Sequence, residues 1–229
     1  MLKLNELTTI QKNDLFNILR ISLTHHSSAI EGISLTFGET KRLLESGITA
    51  GSKPLHEQLV VIGFASAFDF IVREANNSSS ILDSNLIKDI HAILFDKALA
   101  VCPERLERPI GTWRLDERYI KGVDIKLSKP SYIDQDINNL LYRYNKAMSL
   151  KDIAEFHIEF EIIHPFADGN GRVGRLLMTY QAIKNNFIPP LILDETRVDY
   201  LNSLSDPNKL EEFIKLSIKN SIGLLNLKK

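Results

Sequence analysis

The chain has 229 residues, 44% hydrophobic and 25% charged, with a formal net charge of −1. That length suits one large domain or two small ones, the apolar fraction supports a sizeable core, and the near-neutral balance gives no electrostatic reason to expect a nucleic acid or an anionic membrane as partner. A lone cysteine, Cys102, excludes an intrachain disulfide framework.

From the N-terminus, MLKLNELTTIQKNDLF is too polar for a signal peptide, and no apolar run approaches the ~18–20 residues of a membrane span. A cytoplasmic location is the resulting expectation. Thr8 or Thr9 caps a helix carrying Leu15, Phe16, Leu19 and Leu23. Thr36 caps a second, with Glu39 in capping-box position, and Gly47 and Gly51 break it. Leu55, Leu59, Ile62 and Phe70 fit a long helix ending near the Asn76–Ser80 run, and Asp83 or Ser84 starts another through Leu86, Ile87, Ile90 and Leu94. Ile133, Ile137, Leu140, Leu141 and Tyr144 mark a further helix. A last one begins near Pro207 and carries Leu210, Phe213 and Ile214.

Between Gly111 and Leu127 the helical period stops. Val123, Ile125 and Leu127 alternate with Asp124 and Lys126, and Lys121-Gly122 supplies a turn, so a short hairpin is expected.

The most informative stretch is IHPFADGNGRVGR, residues 163–175. Asp168-Gly169-Asn170-Gly171 reads as a tight loop leading into a helix. A glycine-rich helix start offers free N–H groups to an anion. Arg172 and Arg175, three apart, share a helix face and supply planar donors for phosphate. Val173, Leu176, Leu177 and Tyr180 form an apolar stripe that excludes both arginines, so burial is not expected to consume them. The same letters contain a dinucleotide-type GxGxxG at Gly169, Gly171 and Gly174, which needs a preceding strand. Ile158–Ile163 does alternate, but Phe156, Phe160 and Ile163 follow a helical period, and no strand–helix–strand rhythm follows.

Displacement at a nucleotide phosphate by an alcohol needs a base, a phosphate cradle, a neutralising cation and a site for the leaving pyrophosphate. His164 suits the first role, titrating near neutral pH. The backbone of Gly169, Asn170, Gly171 and Arg172 suits the second. Asp168 suits the third as a Mg²⁺ ligand, and Arg172 with Arg175 the fourth. Farther upstream, Ser27 and Glu31 in SSAIEG lie one helical turn apart, before a natural helix-ending glycine, Gly32. His25 and His26 diverge by about 100° on a helix, and no Cys/His ligand spacing exists, so no zinc site is expected. His157 reads as a partly buried structural histidine; His56 and His91 carry no partner signal.

HPFADGNGRVGR, residues 164–175, resembles the signature of the Fic family, H-P-F-x-[DE]-G-N-G-R-x-x-R, with every fixed position filled. The resemblance implies a mainly α Fic-type domain with one short β-hairpin flap beside the active site, GTWR at Gly111 being similar to the flap entrance. It implies a single domain over 1–229, with an N-terminal helical segment over 1–50 and a catalytic core over 81–222. The implied activity is transfer of AMP from Mg²⁺-bound ATP to a Ser, Thr or Tyr hydroxyl of a protein target, with His164 catalytic.

Ser27–Gly32 is similar to the family's inhibitory motif, [ST]-x-x-x-E-[GN], which implies pairing of Glu31 with Arg175 and exclusion of the ATP γ-phosphate. The segment Arg197–Leu204 is similar to one lining the adenine pocket and assigns Tyr200 to ATP, although its period alone reads as core. Helical relatives often dimerise, which leaves a homodimer open as a partner beside ATP and the target. Two alternatives stand: Glu31 positions a water and the site removes AMP, or the chain binds nucleotide or target with negligible catalysis.

Overall fold

The computed structural model describes residues 2–119 and 126–226. Among them nine α-helices follow in order: α1 (Thr9–Ile30), α2 (Phe37–Ser46), α3 (Leu55–Asn76), α4 (Ser84–Val101), α5 (Ile133–Arg143), α6 (Leu150–Ile163), α7 (Asn170–Lys184), α8 (Arg197–Ser203) and α9 (Pro207–Asn226). Local chemistry sets their starts. Thr8, Thr36 and Ser149 each close a capping box on the residue three ahead. Asp83 accepts the Leu86 N–H at the start of α4. Gly47, at φ 67°, ends α2 in the left-handed region that glycine tolerates best. The stretch before the signature is helical, as the Phe156/Phe160/Ile163 spacing predicts.

The helices pack as a single core. α3 lies against α4, α7 and α1, while α6 lies against α7 and α9. Although α3 is long and apolar enough to cross a membrane by length and composition, contrary to the sequence expectation, it serves as a core helix. Val60, Phe64, Phe68 and Ile71 are all buried, each contributing about 1.5–3 kcal/mol of transfer free energy. Its contact with α4 is close. A Cβ on Gly63 would stand 2.0 Å from the Leu94 carbonyl oxygen, so only glycine fits that crossing.

The helix that follows the signature loop differs most from expectation. Every residue of α7 from Arg172 to Ile183 is buried. The helix is surrounded by α3, α4, α6 and α1, so no face is left to solvent. Arg172 and Arg175 are therefore buried, each 5% exposed, and the apolar stripe does not separate them from the core.

No strand occurs among the described residues; an isolated antiparallel bridge joins Lys3 and Phe187. The expected β-hairpin is thus absent from the described parts of 111–127, and its turn and inner strand positions (Lys121, Gly122, Val123, Ile125) lie outside the described residues. One side chain ties the described flanks of that segment together. Arg114, 1% exposed, donates to the carbonyls of Asp116 and Ser128.

Candidate active site

The signature loop begins where α6 stops. His164 caps α6 in the left-handed region at φ 49°, ψ 60°, a conformation that costs free energy for a non-glycine residue and that its surroundings must enforce. Arg114 does so from outside the loop: its Nε donates to the His164 carbonyl over 2.7 Å, and its backbone N–H donates to the Pro165 carbonyl over 2.8 Å. His164 Nδ1 lies 3.3 Å from the Glu161 carbonyl. A carbonyl only accepts, so that nitrogen carries the proton and Nε2 keeps its lone pair. Burial pushes the His164 pKa below the ordinary histidine value, favouring the neutral base.

The rest of the loop is braced from beneath. Phe166 is fully buried and stacks on His91, ring centroids 3.8 Å apart and 4° from parallel. His91 accepts the Gly111 N–H at Nδ1 over 2.8 Å, so its Nε2 donates to the Asp168 carbonyl over 3.1 Å. Burial lowers its pKa to about 4, which keeps it neutral in that bridging tautomer. No sequence signal pointed to His91, whose partners lie 20 and 77 residues away. Asn170 accepts the Phe166 N–H and donates to the Phe166 carbonyl, both over 2.9 Å. Its amide thus holds the loop, while its backbone stays in the helix start that the sequence reading assigned to a phosphate cradle.

Gly169 caps the start of α7 at φ 81°, where a Cβ would stand 2.7 Å from the Phe95 ring. Asp168 accepts the Gly169 N–H over 2.6 Å, and Arg172 Nη2 donates to both its carboxylate oxygens over 3.0 Å. The Asp168 side chain remains 45% exposed. One turn on, Arg175 points at α1: Nε donates to Ser27 Oγ over 2.8 Å, and Nη2 donates to the Ser27 carbonyl over 3.0 Å and to Glu31 Oε1 over 2.6 Å. Burial alone would raise the Glu31 pKa, but the charge and hydrogen bond of Arg175 outweigh it, and the carboxyl is held below its usual range. Gly171 makes room for this contact, since its Cβ would stand 2.5 Å from Glu31 Oε1. A carboxylate of the chain itself therefore occupies the start of α7, where an anion is favoured.

Behind Arg175 lies a buried polar layer. Tyr200 is 1% exposed, its ring centroid 5.7 Å from the Arg175 guanidinium and its hydroxyl 2.7 Å from His157 Nε2. The helical period of α8 turns this ring into the core, so in this conformation Tyr200 presents no surface to an adenine, unlike the assignment made by resemblance. His157 is fully buried rather than partly so, and burial lowers its pKa to about 3. Glu161 Oε1 is buried with no hydrogen-bond partner, and burial raises the carboxyl pKa to about 7. Gly174 admits both groups: a Cβ there would stand 2.5 Å from Glu161 Oε1 and 2.9 Å from the His157 ring.

The structure thus brings together His164, Asp168, the start of α7, both arginines, Ser27 and Glu31, and sets Asn170 and Tyr200 beneath them. Residues 81–182 match the model of the Fic/DOC family. The chain is 30% identical over 210 residues to protein adenylyltransferase fic-1 of Caenorhabditis briggsae, covering 86% of this chain and 39% of that protein. Against protein adenylyltransferase fic-1 of Caenorhabditis elegans the figures are 27%, 86% and 39%. The chain spans about two-fifths of the length of these curated relatives. Among solved structures, a Fic-domain-containing signaling protein from Bacteroides thetaiotaomicron superimposes with a TM-score of 0.81 at 21% identity, covering 98% of this chain and 91% of that one. A fragment of Fic-1 from C. elegans gives 0.80 at 24% identity, covering 96% and 67%. Residues 81–182, the segment that carries the signature, are therefore a Fic/DOC-family domain.

Proposed function

We propose that this chain is a protein adenylyltransferase that moves AMP from ATP to a hydroxyl of a protein target, restrained by Glu31. The observation that carries the reading is the convergence of the His164 base, the Asp168 carboxylate and two arginines at the first two turns of α7. The names of the curated relatives support the same reaction class. The target oxygen forms a bond to the α-phosphorus, and the bond from that phosphorus to the oxygen bridging to the β-phosphate breaks. The target proton passes to His164 Nε2, and pyrophosphate leaves toward Arg172 and Arg175. The N–H groups at the start of α7 hold the phosphates in line.

Asp168 fits a Mg²⁺ ligand: its carboxylate is a hard oxygen donor, nearly half exposed beside the phosphate cradle. A Mg²⁺ ion held by Asp168 would supply charge neutralisation. Arg172 must first share or release Asp168, since it now bonds both carboxylate oxygens.

Residues 81–222 act as the catalytic core and residues 1–50 as the restraining segment. While Glu31 and Ser27 hold Arg175, that guanidinium cannot also receive a γ-phosphate, and the start of α7 is already screened by negative charge. A second reading rests on the same carboxylate: ionised and held at α7, Glu31 can also orient a water, so that the site removes AMP from an adduct. Release of AMP from a purified adduct by the wild-type chain, and not by Glu31→Gly, distinguishes the two. The test of the main reading is the intact mass of Glu31→Gly after incubation with Mg-ATP and a candidate acceptor. Addition of one AMP is expected, with none when His164→Ala is added. Absence of any AMP adduct from an ATP-binding Glu31→Gly protein would falsify the transferase reading.

A further inference from the structure

The C-terminal half of α1 carries a second cluster that the proposed reaction does not use. His25 and His26 are adjacent in sequence, yet His25, His26 and Asp194 each offer a ligand atom, and those atoms all lie within 4.8 Å of one another. Asp194 opens the one-turn helix Asp194–Thr196, and its Oδ1 is 2.6 Å from His26 Nδ1 across 168 residues of chain. The His25 and His26 ring centroids are 4.9 Å apart, and Phe37 stands edge-on to His25 at 5.3 Å. The cluster is therefore flanked by an aromatic on one side. It is open on the other, where the Asp194 side chain is 36% exposed.

We infer that His25, His26 and Asp194 form a binding site for a first-row divalent metal of the zinc type. Two imidazole nitrogens and one carboxylate oxygen are a donor set suited to Zn²⁺ and poorly suited to Mg²⁺ or Ca²⁺, which take oxygen ligands. Metal–ligand distances of about 2.0–2.2 Å place tetrahedral ligand atoms about 3.4 Å apart. Metal entry thus draws the more distant donors inward by about 1 Å and replaces the His26–Asp194 hydrogen bond. Water takes the remaining position on the exposed side. The divergence of adjacent helical residues, which argues against such a site in the sequence, is overcome because Asp194 approaches from another element.

The position gives the site a consequence. Ser27 follows directly on His26, with Glu31 one helical turn further on, and Asp194 leads into α8, where Arg197 Nε donates to the Ile30 carbonyl over 2.8 Å. A metal held by both elements rivets the end of α1 to the start of α8 and so holds Glu31 on Arg175. That regulatory consequence rests on the function proposed above; the site itself does not.

The test uses the full chain, stripped of metal with EDTA, dialysed and titrated with ZnCl₂ in a calorimeter. One equivalent should bind, and Co²⁺ should give visible absorption of tetrahedral character. His26→Gln and Asp194→Asn should each weaken Zn²⁺ binding at least tenfold, while Asp168→Asn leaves it unchanged. Zn²⁺ should also slow amide exchange in the last turn of α1 in the wild type and in neither site variant. Zn²⁺ affinity indifferent to His26→Gln and Asp194→Asn, or lost in Asp168→Asn, overturns the assignment. No AMP transfer enters these readouts, so failure of the reaction and failure of the metal site remain distinct.

Discussion

Arg175 and Glu31, 144 residues apart in the chain, meet through a 2.6 Å hydrogen bond beside the second turn of α7. The arginine is 5% exposed and the glutamate side chain about one-third exposed. The arginine is therefore the enclosed partner, and the carboxylate is the one that can leave. This asymmetry suits an arginine whose second partner is a phosphate.

Glu31→Gly should raise AMP incorporation by roughly tenfold or more, the ratio given by loss of ~1.4 kcal/mol of restraint. The same change leaves a buried guanidinium with only its Ser27 partners, so stability should fall by about 1–3 kcal/mol. Mg-ATP should then raise the unfolding midpoint more in Glu31→Gly than in the wild type, because it supplies the missing anion. Thermal unfolding with and without Mg-ATP checks both signs; an equal ligand shift in the two proteins contradicts the competition.

The pH–rate profile should report His164. Burial holds its pKa below the ordinary 6.5, and Glu31 acts in the opposite direction by raising it. The acid limb of kcat in Glu31→Gly should therefore fall below pH 6.5, with activity rising through that midpoint and level above it. A limb at or above 6.5 rejects a buried, neutral His164 as the base.

Glu161 makes stability depend on pH in a sense that can be worked out. Its folded pKa of about 7 exceeds the ordinary 4.5. Across that window the folded chain retains a proton that the unfolded chain has released, so stability declines as pH rises through it and levels off above. Glu161→Gln escapes this loss. Its stability relative to wild type should gain about 3 kcal/mol between pH 4 and pH 8, at 1.36 kcal/mol per unit. Urea unfolding at the two pH values measures the gain; a pH-independent difference means the carboxyl is not held protonated.

Two glycine-to-alanine changes should act in opposite directions. At Gly63 the new methyl meets the Leu94 carbonyl at 2.0 Å, and a backbone atom cannot swing aside. A loss of about 3 kcal/mol is expected. At Gly223, within α9, nothing lies within 4 Å, and the helix should gain about 0.5–1 kcal/mol. Chemical denaturation of both variants decides, and a stable Gly63→Ala removes the close α3–α4 crossing from the account.

Arg114→Lys should loosen the segment after Gly111. One planar guanidinium reaches the carbonyls of His164, Asp116 and Ser128, and a single ammonium cannot span them. Expected outcomes are a loss of about 1.5–3 kcal/mol and faster proteolysis between Gly111 and Leu127. An unchanged digestion pattern would show that the segment is held by other contacts.

Much of this molecule was legible in its residues because the deciding interactions are short-range. Thr8, Thr36 and Asp83 cap helices by bonding N–H groups three residues on. The Phe156/Phe160/Ile163 spacing separates a helix from an alternating strand without any knowledge of neighbours. The loop from His164 to Arg175 carries its chemistry in contiguous positions, and the Glu31–Arg175 pair was readable only by resemblance to a family. Three-dimensional packing alone decided that α7 is enclosed on every side. It also stacked His91 under Phe166, turned Tyr200 inward onto His157, and brought Asp194 to two histidines. Each of these depends on which helix faces which, and burial energy is non-directional and summed over many distant partners. Spacing along the chain does not encode that sum, so the core around the site emerges only when the helices are assembled.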